Sequence, residues 1–127
     1  MGNCYSFAMV SAVRGATCVQ QNCRDAIKKA SLDLISSLLS TNKITERRII
    51  SIVFSVTEDL DAGNPASSIR TVGFKKVPLF CVQEAKCNDS LAGVIRVLIT
   101  YRRFFPFGDP KPVYKGGAEV LRPDLSS

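Results

Sequence analysis

Histidine and tryptophan are both absent from this 127-residue chain. Without histidine there is no Ser-His-Asp or Cys-His nucleophile system, no HExxH zinc site and no imidazole proton shuttle. Any catalysis must run on carboxylates, arginines, lysines, tyrosines, thiols or backbone dipoles. No apolar run approaches the roughly 20 residues of a membrane span. The five cysteines, Cys4, Cys18, Cys23, Cys81 and Cys87, are odd in number and form no CxxC pair. With no histidine to complete a zinc set, neither a structural metal nor a disulfide framework is expected, and scattered thiols point to the cytoplasm. The first residues, Met1 to Ser6, carry no basic secretory n-region. They match the loose myristoylation pattern M-G-x-x-x-[ST] with Cys4 beside it. A pattern that short is read as chance or as a start upstream of Met9, so residues 1–8 are expected to be a non-native or flexible extension without stable membrane association.

The composition is that of a folded chain, 46% hydrophobic and 22% charged, and its length predicts a single domain over residues 1–127. Lysine plus arginine outnumber aspartate plus glutamate by 17 to 11, a net charge of +6. That excess favours anionic partners. The basic residues are scattered in pairs such as Arg47-Arg48 and Arg102-Arg103, without the dense aromatic-interleaved patch of a nucleic-acid binder, so no nucleic-acid partner is expected.

The patterning predicts a β-α-β-α-β-β order plus a terminal strand. Phe7 to Arg14 alternates as a first strand, ended by Gly15-Ala16-Thr17. Asn22 is the expected cap of a helix whose apolar residues Ile27, Ala30, Leu34, Ile35, Leu38 and Leu39 fall at helical spacing, closed by Asn42. Thr45 caps a short helical turn, and Ile49 to Val56 is a continuous buried strand. Asn64-Pro65 starts a second helix that runs to Gly73. Strands are expected at Val77 to Gln83, Val94 to Tyr101 and Ala118 to Leu121, with Arg102 to Pro112 irregular and residues 122–127 a tail. The fold class is α+β, a mixed β-sheet with helices packed on one face. A chain of this size leaves an apolar sheet face for another subunit to cover.

Three positions stand out chemically. Glu84 follows the apolar strand ending Cys81-Val82-Gln83. It is either a solvated strand-end glutamate or a carboxylate held rigidly at the edge of a core. Arg96 sits inside Val94-Ile95-Arg96-Val97-Leu98-Ile99. It either faces solvent or needs a partner, because an unpaired buried charge is very costly. Arg14 precedes Gly15 at the end of the first strand. Arginines at strand ends suit bidentate grip on a compound with several carboxylates.

Five segments in this order, Val13-Arg14-Gly15-Ala16-Thr17, Cys81-Val82-Gln83-Glu84, Ile95-Arg96-Val97, Val113-Tyr114 and Val120-Leu121-Arg122-Pro123-Asp124-Leu125, resemble the AroH-class monofunctional chorismate mutases, the trimeric α/β type. The similarity runs from about Val10 to Ser126. The resemblance implies a trimer of packed sheets and conversion of chorismate to prephenate, an intramolecular Claisen rearrangement in aromatic amino-acid biosynthesis. It implies no cofactor, no metal, no covalent intermediate and no general base. By carry-over, Arg96 donates to the ether oxygen where negative charge develops and to a substrate carboxylate. Glu84 accepts from the ring hydroxyl, and Cys81 contacts the same hydroxyl. Arg14 pairs with a carboxylate, assisted by Tyr114. The resemblance also places the pocket at a subunit interface of a homotrimer, with Arg70 and the 64–67 segment, Ala66 included, coming from the neighbouring chain, and with Leu121, Arg122 and the tail closing the mouth. Asn64 and Ser67 stand where the family has an aromatic and a lysine, and Phe80 where it has a small polar residue. Two other readings compete: a trimeric imine-deaminase-like protein of similar subunit shape, and a non-catalytic binder of anionic metabolites that rests on the positive charge alone.

Overall fold

The computed structural model describes residues 8–88, 90–104 and 108–122. The expectations for residues 1–7 and for the tail from Pro123 lie outside the described residues. Seven main elements follow one another: β1 (Ala8–Cys18), α1 (Arg24–Asn42), β2 (Ile49–Val56), α2 (Pro65–Arg70), β3 (Leu79–Gln83), β4 (Val94–Phe104) and β5 (Val113–Lys115). Short 3-10 turns occupy Glu46–Arg48 and Ala118–Leu121. The strands form one five-stranded sheet in the order β3-β2-β4-β1-β5. It is mixed: β4 runs antiparallel to both β1 and β2, while β1 pairs β5 and β2 pairs β3 in parallel.

The main core lies between one sheet face and the two helices. Helix α1 buries Ile27, Ser31, Leu34, Ile35 and Leu38, a single stripe at helical spacing. The sheet supplies Val13, Ile52, Phe54, Ile95, Val97 and Ile99 to the same core. Side chains alternate between faces along a strand, so the residues between these point to the opposite, helix-free face. A second, smaller cluster of Ala16, Val94 and Ala118 sits there.

The second helix starts as its residues dictate. The Asn64 side chain accepts hydrogen bonds from the backbone N–H of Ala66 at 2.9 Å and of Ser67 at 3.3 Å, and Pro65 holds the first helical position. The helix ends at Arg70 rather than at Gly73. There the Arg70 guanidinium donates to the carbonyls of Phe74 and Val77 and draws the following loop around the helix end. Engaging the Val77 carbonyl also holds Val77 outside β3, which begins at Leu79.

Four other expectations are corrected. β1 does not end at Gly15 but continues to Cys18. Gly15 is inside the strand at a close approach of α1: a Cβ would stand 2.7 Å from Leu38 Cδ1 and 3.1 Å from both Leu34 Cδ1 and the Val113 carbonyl. Asn22 does not cap α1; Cys23 occupies the cap without a side-chain bond. The Asn22 amide instead donates to Asp61 at 2.7 Å and accepts from the Ala62 N–H at 3.0 Å, tying two loops together. β4 runs on to Phe104, where it pairs with Ala8. The terminal strand is not Ala118–Leu121 but Val113–Lys115. Gly116 and Gly117 adopt φ of +66° and +102°, values that suit glycine, and they turn the chain back so that 118–121 becomes a 3-10 turn. No helix among the described residues is long and apolar enough to cross a membrane.

Gly15→Ala is expected to destabilise the fold by about 1–3 kcal/mol, the usual cost of overpacking. Thermal melting at matched protein concentration checks this; an unchanged midpoint would mean that Leu38, which is fully buried, yields without cost.

Candidate active site

Strand register assembles the site. On the helix-free face, Ser55 of β2 lies opposite Arg96 of β4, Arg96 opposite Ala16 of β1, and Ala16 beside Tyr114 of β5. Opposed residues share a face, so these four side chains form one row across four strands. The next row on that face holds Phe80, Val53, Leu98 and Arg14. Arg14 is therefore one pleat repeat from the first row, about 7 Å along the strand. Ala16 contributes only a methyl between Arg96 and Tyr114, which leaves room above it.

That room is a cavity of about 250 Å³ lined by Arg14, Ser55, Arg96, Leu98, Tyr114 and Arg122, among others. Three arginines surround an apolar floor of Val53 and Leu98. Arg122 reaches it from the end of the 3-10 turn, which the paired glycines fold over the sheet. Among the described residues no carboxylate lines the cavity, so the charged side chains of its lining are all positive. A compact anion with several carboxylates is what such walls attract.

Glu84 stands beside this cavity. Its Oε1 lies 3.4 Å from Arg96 Nε and accepts a hydrogen bond of 2.6 Å from Ser55 Oγ. Its own N–H donates to the Val56 carbonyl at 2.7 Å, which anchors the start of the side chain to β2. Arg96 Nε is buried and makes no hydrogen bond; the nearby carboxylate balances its charge without capturing it. Acid and guanidinium are thus paired, while both side chains stay partly open to solvent.

The remaining candidates sit elsewhere in the same chain. Cys81 pairs in register with Phe54 and packs against the main core on the helix side, where burial raises its thiol above the ordinary cysteine range. Ala66 also packs against that core, and Arg70 is committed to the loop carbonyls. Leu121 packs with Tyr114 against the small cluster. The structure therefore brings together Arg14, Glu84, Arg96, Tyr114 and Arg122, and leaves Cys81, Ala66 and Arg70 on the other side of the sheet. Ser55 was not singled out by sequence reasoning. The available signal was a hydroxyl within the β-branched run Ile49 to Val56, and it gains meaning only once strand pairing sets it across from Arg96. Among the described residues, no group of three or more cysteine, aspartate or glutamate side chains gathers to hold a metal.

A family model for chorismate mutase type I matches residues 10–125. The chain is 37% identical over 120 residues to chorismate mutase AroH of Thermus thermophilus, with 94% of this chain and 98% of that protein covered. It is 32% identical over 119 residues to chorismate mutase AroH of Bacillus subtilis (strain 168), covering 93% and 94% respectively. Among solved structures, a chorismate mutase from Clostridium thermocellum superposes with a TM-score of 0.79 at 38% identity, covering 87% of this chain and 99% of that one. This α+β chain, with an arginine-walled cavity on the open face of a mixed sheet and matched along nearly its whole length, belongs to the type I chorismate mutase family. The protein is accordingly an isomerase, rearranging chorismate to prephenate in aromatic amino-acid biosynthesis. Of the three readings the sequence allowed, membership of this family selects the first.

Alkylation tests the placement of Cys81. The thiolate is the reacting form, so at mildly alkaline pH iodoacetamide should label Cys81 more slowly than the exposed Cys23 and Cys87. Peptide mass spectrometry that finds Cys81 labelled first would contradict its burial against the helix side.

Proposed function

We propose that catalysis takes place in the arginine-walled cavity, with Arg96 and Glu84 acting side by side on a compact, chair-like conformer of chorismate. In the rearrangement the ether carbon–oxygen bond breaks while a carbon–carbon bond forms. Nothing is protonated and no covalent bond to the protein is made, which suits a chain without histidine. The protein's part is to hold the folded conformer and to stabilise charge as the ether bond polarises. Arg96 donates to the ether oxygen, where negative charge grows, and to a carboxylate. Glu84 accepts from the ring hydroxyl and faces the positive charge left on the ring. Arg14 pairs with a carboxylate beside Tyr114, and Arg122 with Leu121 closes the mouth. The observation that carries this reading is the 3.4 Å approach of Glu84 to Arg96 at the edge of a cavity walled by two further arginines.

The same reading takes the working enzyme to be a homotrimer. Phe80 is 66% exposed, Val82 41% and Leu98 40%, and all three lie on the helix-free face in neighbouring rows. An apolar strip of that kind supports burial against other copies. β3 is one of the sheet's two edge strands, and Ala66, Arg70 and Cys81 lie on or beside it. Across a subunit boundary they complete a neighbour's site rather than their own. A cytoplasmic location goes with this metabolic role, supported by free thiols at Cys18, Cys23, Cys81 and Cys87.

Loss of chorismate absorbance on adding purified protein measures the activity. Arg96→Ala should lower kcat by the roughly 10²–10³ seen when one oxyanion donor is removed, about 3–4 kcal/mol. Arg96→Lys should recover little of it, since an ammonium lacks the planar fork. Near wild-type turnover in Arg96→Ala would refute the assignment. Glu84→Ala should lower kcat with the fold kept. A monomeric mass by sedimentation would remove the shared-site part of the reading.

A further inference from the structure

Glu84 stands one residue beyond β3, and its N–H is fixed to the Val56 carbonyl. The backbone thus sets where this side chain begins but not where its carboxylate goes. Two destinations are open. One is Arg96. The other is a neighbouring cavity of about 260 Å³ that Glu84 also lines, together with Thr57, Glu58, Asp59, Lys86 and Cys87, where Lys86 already pairs with Glu58 at 3.1 Å.

Ser55 decides between them. Its Oγ donates to Glu84 Oε1 at 2.6 Å, much closer than the 3.4 Å approach of Arg96 Nε to the same oxygen. A hydroxyl bonded to an ionised carboxylate at that length is in the strong class. Ser55 is also well placed to hold a position. It sits near the end of β2, paired with β3 on one side and β4 on the other, directly opposite Arg96. It lines the arginine-walled cavity itself, which Glu84 does not, so it is the physical link between the carboxylate and the guanidiniums. One further effect follows from the geometry. A carboxylate and a guanidinium left to themselves close into a bidentate pair, which would take up the donors that the ether oxygen needs. By holding Oε1, Ser55 keeps the pair open, and Arg96 Nε makes no hydrogen bond.

We propose that Ser55 is a positioning residue for the rearrangement: its hydroxyl holds Glu84 beside Arg96 without letting the two collapse together, so that acid and guanidinium are preset before substrate arrives. The inference rests on the assignment of Glu84 and Arg96 above and adds a residue to it.

The test is a double-variant cycle on the full chain, reading kcat and KM for chorismate in Ser55→Ala, Ser55→Thr, Glu84→Ala and the Ser55→Ala/Glu84→Ala pair. Ser55→Ala should lower kcat about 10-fold or more, the scale of one hydrogen bond to a charged group, with KM nearly unchanged. Ser55→Thr, which keeps the hydroxyl, should recover most of the loss. In the Glu84→Ala background the Ser55→Ala change should cost nothing further, a non-additivity that a merely structural serine would not produce. Losses that add in the pair, or a Ser55→Thr enzyme as slow as Ser55→Ala, would overturn the role of Ser55 while leaving that of Glu84 intact. Wild-type turnover in Glu84→Ala would instead bring down the assignment of the site itself. Circular dichroism and melting accompany each variant; if Ser55→Ala does not fold, Ser55→Cys, with its weaker donor, carries the same cycle.

Discussion

A guanidinium set into an apolar strand constrains everything around it. Arg96 interrupts β4 between Ile95 and Val97, both buried in the main core. An isolated charge there would cost several kcal/mol. Strand alternation turns Arg96 away from that core, and Glu84 at the end of β3 supplies the opposite charge. The pair is only partly withdrawn from solvent: the Arg96 side chain keeps 43% of its exposure and that of Glu84 keeps 27%. Its worth lies less in net stability than in a fixed orientation of the two charges. That is the requirement of a reaction whose barrier falls by positioning and electrostatics alone.

The sheet divides labour between its faces. The helix side is a continuous apolar core in which α1 and α2 lock five strands into one register. The other face carries the polar row and is apolar beside it. Register is therefore the means by which distant parts of the sequence meet. Ala16, Ser55, Arg96 and Tyr114 come from four strands, and a slip of one residue in any pairing would send its member to the wrong face. The close approach at Gly15 matters for the same reason. It lies between Arg14 and Ala16, so the contact that seats α1 against the sheet also fixes the backbone that presents one arginine and clears space beside another.

Local chemistry was legible in the sequence and long-range pairing was not. Asn64 and Pro65 carry their capping roles within a few residues, so the start of α2 could be read directly. Ile49 to Val56 could be read as a strand because five of its eight residues are β-branched. Arg96 and Glu84 stood out by their residue types among apolar neighbours, yet their partnership depends on the β2–β4 register that no single segment encodes. Gly15 looked like a strand end because glycine usually marks one; here packing against Leu38 decided instead. Ala118 to Leu121 alternates as a strand would, but the two glycines before it reverse the chain, and the short Val113–Lys115 segment takes the edge of the sheet. The position of Asn22 suits a cap, but tertiary contact with the 61–62 loop claims its side chain. Cys81 and Glu84 are three residues apart, an odd spacing that strand alternation sends to opposite sides of the sheet.

β5 meets the rest of the sheet along only three register positions at the β1 edge, whereas β1 and β4 pair along eleven. Tyr114 lies within that short strand and Arg122 follows it through the glycine turn. One wall of the cavity thus belongs to the shortest strand pairing of the sheet, and the opposite wall to the longest. Fraying at the edge would carry a tyrosine and an arginine outward together while Arg14 and Arg96 stayed in place. The enclosure is built like a hinged gate on a fixed post, so admission of a ligand need not disturb the charges that act on it.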